Sequence, residues 1–126
     1  MENNNLIQFL NHRYINLESY KKNGKAVRTP VWFVEDKGVI YVRTDQNSGK
    51  MKRMHNNNHI LIVPSDFRGK PKGSWIKAEI NIASTNEKER ANKLLDQKYG
   101  LQAKILKLIY KIKRIKPTIV SIYIVK

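Results

Sequence analysis

Cysteine is absent from this chain. That excludes disulfides, thiolate metal sites and cysteine nucleophiles together. It also removes any sign of a secreted, disulfide-stabilised fold. Acidic residues are scarce: 10 Asp and Glu stand against 25 Lys and Arg, a formal net charge of +15 in 126 residues. Such a surface repels itself and attracts anions. Nucleic acid, anionic lipid or a small anionic cofactor would each suit it, and a Lys-rich composition with no specific partner would also produce it. Long apolar runs are missing as well. No stretch reaches the roughly 18 apolar residues a bilayer-spanning helix requires, and Met1-Glu2-Asn3-Asn4-Asn5 lacks the basic start and apolar run of a signal peptide. A cytoplasmic protein is expected. Repeats and low-complexity linkers are absent too, so residues 1–126 read as a single domain.

What is present is a core and a strand pattern. The apolar share is 40%, enough for packed structure rather than disorder. Residues 2–11 suit a short helix. Tyr14 to Tyr20 alternates with the period of a strand. Lys22-Asn23-Gly24 is a turn, since Asn-Gly supplies positive φ readily. A second strand runs from Ala26 to Val34, and Asp36-Lys37-Gly38 folds it back onto a third, Val39 to Thr44. A polar loop, Asp45 to Gly49, leads into a short helix from Lys50 to Asn57. A fourth strand runs from Ile60 to about Phe67. The fifth runs from Trp75 to Ile82, with Ile76, Ala78, Ile80 and Ile82 on one face. Ser84-Thr85-Asn86-Glu87 is a capping box that opens a helix to Tyr99, stopped by Gly100. Leu101, Ile105, Leu108, Ile109 and Ile112 give a second helix, to about Ile115, with one apolar face. That face is expected to pack on the barrel or on a dimer partner; a basic membrane-surface helix is the other reading. After Pro117 a sixth strand runs from Thr118 to Val125. Six short, mostly antiparallel strands close most simply into a small barrel, which removes their edges.

The densest chemical signal is Thr44-Asp45-Gln46-Asn47-Ser48-Gly49-Lys50-Met51-Lys52-Arg53. A strand ends, a glycine-containing loop follows and a helix begins. Free N–H groups at a helix start favour an anion. Thr44 and Ser48 add hydroxyls, and Lys50, Lys52 and Arg53 add full charges. The set suits a phosphate monoester. Arg28 is expected to join it, because the Asp36-Lys37-Gly38 turn would bring the start of its strand near Thr44, with bidentate geometry available. His55 and His59 are four apart, but Asn56-Asn57-Asn58 reads as a helix end and no third ligand is evident, so no metal site is expected. No Ser-His-acid arrangement is visible.

Three segments, Thr29-Pro30-Val31-Trp32-Phe33-Val34, Tyr41-Val42-Arg43-Thr44 and Ser48-Gly49-Lys50-Met51-Lys52-Arg53, together resemble the pyridoxamine 5'-phosphate oxidase-like superfamily, and most closely its deazaflavin-dependent branch. Arg68-Gly69-Lys70-Pro71-Lys72-Gly73, Arg90-Ala91-Asn92-Lys93-Leu94-Leu95 and Lys98-Tyr99-Gly100-Leu101 resemble that branch as well. The likeness covers roughly residues 12–102. It implies a mainly β fold, a six-stranded antiparallel FMN-binding split barrel with peripheral helices. It also implies a homodimer with cofactor sites at the subunit interface, and two-electron redox chemistry on a small organic substrate. The implied cofactor is coenzyme F420, with FMN as the alternative.

Residue by residue, Arg28 matches the arginine that begins the strand lining the flavin, and Pro30, Val31, Trp32 and Phe33 follow along the ring. Arg43-Thr44 matches in part an aromatic-Thr pair. Ser48-Gly49-Lys50 matches a Ser-Arg-Lys phosphate motif with Gly49 in place of the Arg, the form that the deazaflavin branch resembles. Lys52 and Arg53 complete the anion site. The glutamate tail of F420 would need a longer basic groove, for which Lys21, Lys22, Lys25, Arg68, Lys70 and Lys72 are candidates. No catalytic side chain is implied, since a flavin-type ring carries its own redox chemistry. The rival reading is a non-enzymatic basic module for nucleic acid or anionic ligands, driven by counterion release. A third is a haem-handling protein, for which no positioned axial histidine is evident.

Overall fold

The computed structural model describes residues 4–125. After a short helix, α1 (Asn4–Ile7), the chain forms a hairpin of β1 (Tyr14–Tyr20) and β2 (Ala26–Trp32). The helix expected over 2–11 is thus shorter, and its part at residues 2 and 3 lies outside the described residues. Gly24 turns the hairpin at φ +87°, where a side chain would be strained. β1 does not show the one-sided burial that its alternation suggests: residues 15–19 are all buried. The reason is its place in the sheet, between β2 and β5, with both faces covered. Asn16 and Glu18 are therefore polar groups inside: Asn16 Nδ2 donates to the Gly69 carbonyl at 2.8 Å while its Oδ1 is buried without a partner among the described residues, and Glu18 accepts from Arg28 and Tyr20.

The expected strand Ala26–Val34 is two strands. β2 pairs only with β1, whereas β3 (Val34–Asp36) pairs with β4 (Val39–Asp45). Phe33 sits at the change of partner. Its N–H donates to the Tyr99 hydroxyl at 3.0 Å, and its carbonyl accepts from Lys98 Nζ at 2.8 Å. Side chains of a distant helix thus satisfy a backbone that no neighbouring strand can reach. This split makes the strand count seven rather than six.

α2 (Gly49–Asn56) leads to β5 (His59–Ser65), β6 (Ile76–Ile82) and β7 (Pro117–Ile124), in a single antiparallel sheet of order β2-β1-β5-β6-β7-β4-β3. Its two outer strands, β2 and β3, are consecutive in the chain, so the sheet curls round on itself as a barrel. Inside it lies a core that includes Ile15, Leu17, Phe33, Ile40, Ile60, Ile62 and Ile122. β5 stops at Ser65, two residues short of Phe67, and β6 starts one residue after Trp75.

α3 (Thr85–Tyr99) opens on the capping box: Ser84 Oγ accepts from the Glu87 N–H and the Glu87 carboxylate accepts from the Ser84 N–H. Its inner face, Ala91, Leu95 and Tyr99, packs with Tyr41 and Ile119 in a second core. Gly100, at φ +56°, ends α3 and starts α4 (Leu101–Ile112). Here the expectation is reversed. Leu101, Ile105, Leu108, Ile109 and Ile112 are exposed, and the residues turned inward are Ala103, Leu106 and Tyr110. Ala103 can lie close to α3 because it is small. Among the described residues no helix is long and apolar enough to cross a membrane.

Candidate functional site

A cleft of about 400 Å³ opens where four elements meet. The end of β2 supplies Pro30, Val31 and Trp32; the end of β4 supplies Arg43, Thr44 and Asp45; the start of α2 supplies Ser48 and Lys50. Leu106, Tyr110 and Ile115 close it from α4 and the turn after it, with Tyr14 and Leu95 behind. The walls differ in kind. One is apolar and aromatic, with Trp32 held flat against the Tyr99 ring at 4.2 Å between centroids. The other is a helix start with a lysine and two hydroxyl residues.

Lys50 gives the cleft its charge. Burial pulls its pKa down from the usual lysine value, the nearby Arg53 guanidinium pulls the same way, and the Asp45 carboxylate of the same cleft opposes them in part. Ion pairs of the described residues join Arg28 to Glu18, Arg43 to Asp96, His59 to Glu79, Arg90 to Asp36 and Lys107 to Asp96. Lys50 is in none of them. Ser48 is the N-cap of α2 and accepts from the Met51 N–H at 3.2 Å, which leaves its own hydroxyl hydrogen to donate. Arg43 is not free to bind an anion. Its guanidinium holds Asn92 Oδ1 at 2.7 and 2.9 Å and Asp96 at 3.2 Å, so its donors tie β4 to α3, with Asp96 shared between Arg43 and Lys107.

No protein-family model and no curated protein matches the chain. Solved structures do. A provisionally assigned pyridoxamine 5'-phosphate oxidase from Listeria innocua aligns at TM-score 0.63 and 14% identity, over 96% of this chain and 90% of that one. An F420 reductase aligns at 0.62 and 12%, over 100% and 97%. The heme storage protein from Vibrio cholerae aligns at 0.70 and 9%, over 100% and 92%. The fold is the pyridoxamine 5'-phosphate oxidase-like split barrel. At such identities the likeness fixes the fold and leaves the chemistry to the site.

Within this split barrel, Pro30, Val31, Trp32, Arg43, Thr44, Ser48 and Lys50 come together in the cleft. The other expected site residues stand outside its lining. Arg28 faces Glu18 across the β1–β2 ladder, with Nε to carboxylate at 2.7 Å, and its guanidinium lies over Trp75 at 4.6 Å from the ring centroid. It was expected beside Thr44 on the assumption that its strand pairs with β4, but β2 pairs with β1. Phe33 is in the core. Arg53 Nε donates to Ser19 Oγ at 2.7 Å, Gly49 lies next to the Arg53 guanidinium, and Lys52 is exposed on α2.

Of the groove candidates, Lys21 and Lys22 lie beside Asn56 and Asn57, at the end of α2 opposite Ser48. The Arg68–Lys72 loop packs nearer: a Cβ on Gly69 would lie 2.9 Å from Asn16 Nδ2 and 3.9 Å from Pro30, the cleft wall. His55 and His59 line a separate, asparagine-rich groove. His55 belongs to α2 and His59 to β5, so they do not share a helix face.

Sequence reasoning missed Leu106 and Tyr110. Their signal existed, because Ala103, Leu106 and Tyr110 also recur at helical spacing. The larger apolar stripe on the opposite side of α4 outweighed it.

Proposed function

We propose that the cleft binds a phosphate-bearing flavin-type cofactor, coenzyme F420 with FMN as the alternative, for hydride exchange with a small organic substrate. One observation carries this reading. Lys50 is a desolvated ammonium outside every ion pair of the described residues, set at a helix start opposite a flat apolar wall. A partly buried cation outside any salt bridge, with only the Asp45 carboxylate of the same cleft offsetting its charge, favours a bound anion. A phosphate there would accept from Lys50, from Ser48 and from the first N–H groups of α2, while an aromatic ring would lie along Pro30 to Trp32.

When bound, the cofactor supplies the two-electron chemistry. The chain's own residues bind and orient it: Lys50 fixes the phosphate, Trp32 is immobilised by Tyr99, and Tyr110 and Leu106 keep water from one side. The Gly49 motif and the basic loop at Arg68, Lys70 and Lys72, packed beside Pro30, favour F420, whose phosphodiester continues into an acidic tail. In the same reading two chains form the working unit, as the resemblance implies, and the protein acts in the cytoplasm.

Titration with F420, FMN, hemin and duplex DNA tests the reading. Quenching by F420 that exceeds FMN and depends on tail length is expected. Tight, steeply salt-dependent DNA binding without cofactor affinity would instead establish the non-enzymatic basic module. Hemin binding alone would establish the haem reading, although His12, His55 and His59 all stand outside the cleft. Sedimentation checks the pair of chains, and a stable monomer at micromolar concentration would exclude a shared site.

A further inference from the structure

α4 is apolar on two sides. Ala103, Leu106 and Tyr110 face the split barrel, which uses up its inner stripe. On the outer side Leu101, Ile105, Leu108, Ile109 and Ile112 remain 72%, 52%, 58%, 40% and 73% exposed. Their spacing of four, three, one and three residues sets them in one continuous stripe along the helix. Single exposed leucines are ordinary on a protein surface, whereas an unbroken stripe of five large side chains marks an interaction site.

The surroundings of the stripe say what it meets. Lys104, Lys107 and Lys111 recur at helical spacing along one flank, and Lys113, Arg114 and Lys116 crowd its C-terminal end, all of them exposed. The sequence contains no Asp or Glu after Asp96. Asp96 itself is engaged by Arg43 and Lys107.

We propose that α4 docks the protein on an anionic lipid surface, lying in the plane of the interface. The apolar stripe enters the boundary between headgroups and acyl chains, and the lysine flank meets the lipid phosphates. Twelve residues of helix extend about 18 Å, too short to cross a hydrocarbon core of about 30 Å, so the helix lies on the membrane rather than through it. A second copy of the chain fits less well, because pairing this face with itself would oppose two lysine flanks with no carboxylate between them. Nucleic acid would meet the lysines but leave the stripe in water. The proposal is independent of the cofactor reading, since none of the five stripe residues lines the cleft.

Co-sedimentation with large unilamellar vesicles tests it, comparing phosphatidylcholine alone with phosphatidylcholine mixed with phosphatidylglycerol, at low and high salt. Wild-type protein is expected to pellet with the anionic vesicles and to lose about tenfold or more in partition without phosphatidylglycerol. Ile105→Glu with Leu108→Glu should abolish binding, and Lys104→Gln with Lys111→Gln should flatten the salt dependence. All four side chains are exposed, and circular dichroism verifies the fold. Should the double glutamate variant fail to fold, Ile112→Gln serves as the apolar variant. Leu108→Trp gives a second readout, an emission shift to the blue on adding anionic vesicles.

Anionic-vesicle binding that the stripe variants leave unchanged would overturn the proposal, as would folded wild-type protein that ignores anionic vesicles. So would a wild-type dimer that these same variants dissociate, with no vesicle binding at all. That result would assign the stripe to a second copy.

Discussion

Lys50 and Lys98 are both ammonium groups drawn out of water, and the surroundings of each set a different test. For Lys50 the prediction concerns binding. Lys50→Ala should weaken F420 affinity by about 1.5–3 kcal/mol, the usual loss for a hydrogen bond to a charged group. Calorimetry on the wild type and variant measures it, and equal affinities would remove Lys50 from the anion site. Because burial holds its pKa below the ordinary lysine value, a bound phosphate would draw that pKa back up. Affinity should therefore fall as pH rises through the value in the free protein, and Lys50→Arg should remove that dependence, since a guanidinium stays charged.

For Lys98 the prediction concerns stability. Burial first, and the nearby Arg13 second, push its pKa down from 10.5 to about 8. Below about 8 both folded and unfolded chains carry the charge, and the folded one bears the full cost of burying it. Between about 8 and 10.5 the unfolded lysine stays protonated while the folded one is neutral, so stability rises with pH. Relative to Lys98→Met, the wild type should gain about 1–2 kcal/mol from neutral pH to pH 10 in denaturant titrations, allowing for partial solvent screening. A gap between the two proteins that stays constant with pH would show that the amine is well solvated.

At the scale of elements, local chemistry was legible and partner choice was not. The Asn23-Gly24 turn and the Ser84–Glu87 capping box are closed by residues within a few positions of one another, and the sequence displays both. The division of Ala26–Asp36 into β2 and β3 depends on Tyr99 and Lys98, 66 and 65 positions away from Phe33. No window along the chain contains that information. The same gap misplaced Arg28, whose neighbour is fixed by which strand lies beside β2. It also hid the orientation of α4, because two apolar stripes at helical spacing compete and only the fit of Ala103 to α3 chooses between them. The division itself can be tested. Tyr99→Phe removes the acceptor of the Phe33 N–H and leaves a buried donor unpaired, which should cost about 1–3 kcal/mol in thermal or denaturant melts. A change below about 0.5 kcal/mol would mean that the strand break does not need this clip.

For the whole molecule, the ordered motifs pointed to the split barrel, whereas the +15 charge left nucleic acid, anionic lipid and an anionic cofactor all open; the cleft combined seven of the expected residues with three from α4 and its following turn that no motif marked. The last consequence comes from the ends of the sheet. β2 and β3 are its opposite margins, yet Phe33 is the single residue between them. An ordinary open sheet frays independently from each side. Here one covalent thread belongs to both margins, like a belt whose buckle is a single link. Peeling one margin pulls on the other, so the two should open as one cooperative unit. Hydrogen exchange should then report the same opening free energy for the amides of the β1–β2 and β3–β4 ladders. Inserting a short glycine linker after Phe33 should separate the two values, and distinct values in the unaltered chain would show that the link does not transmit the load.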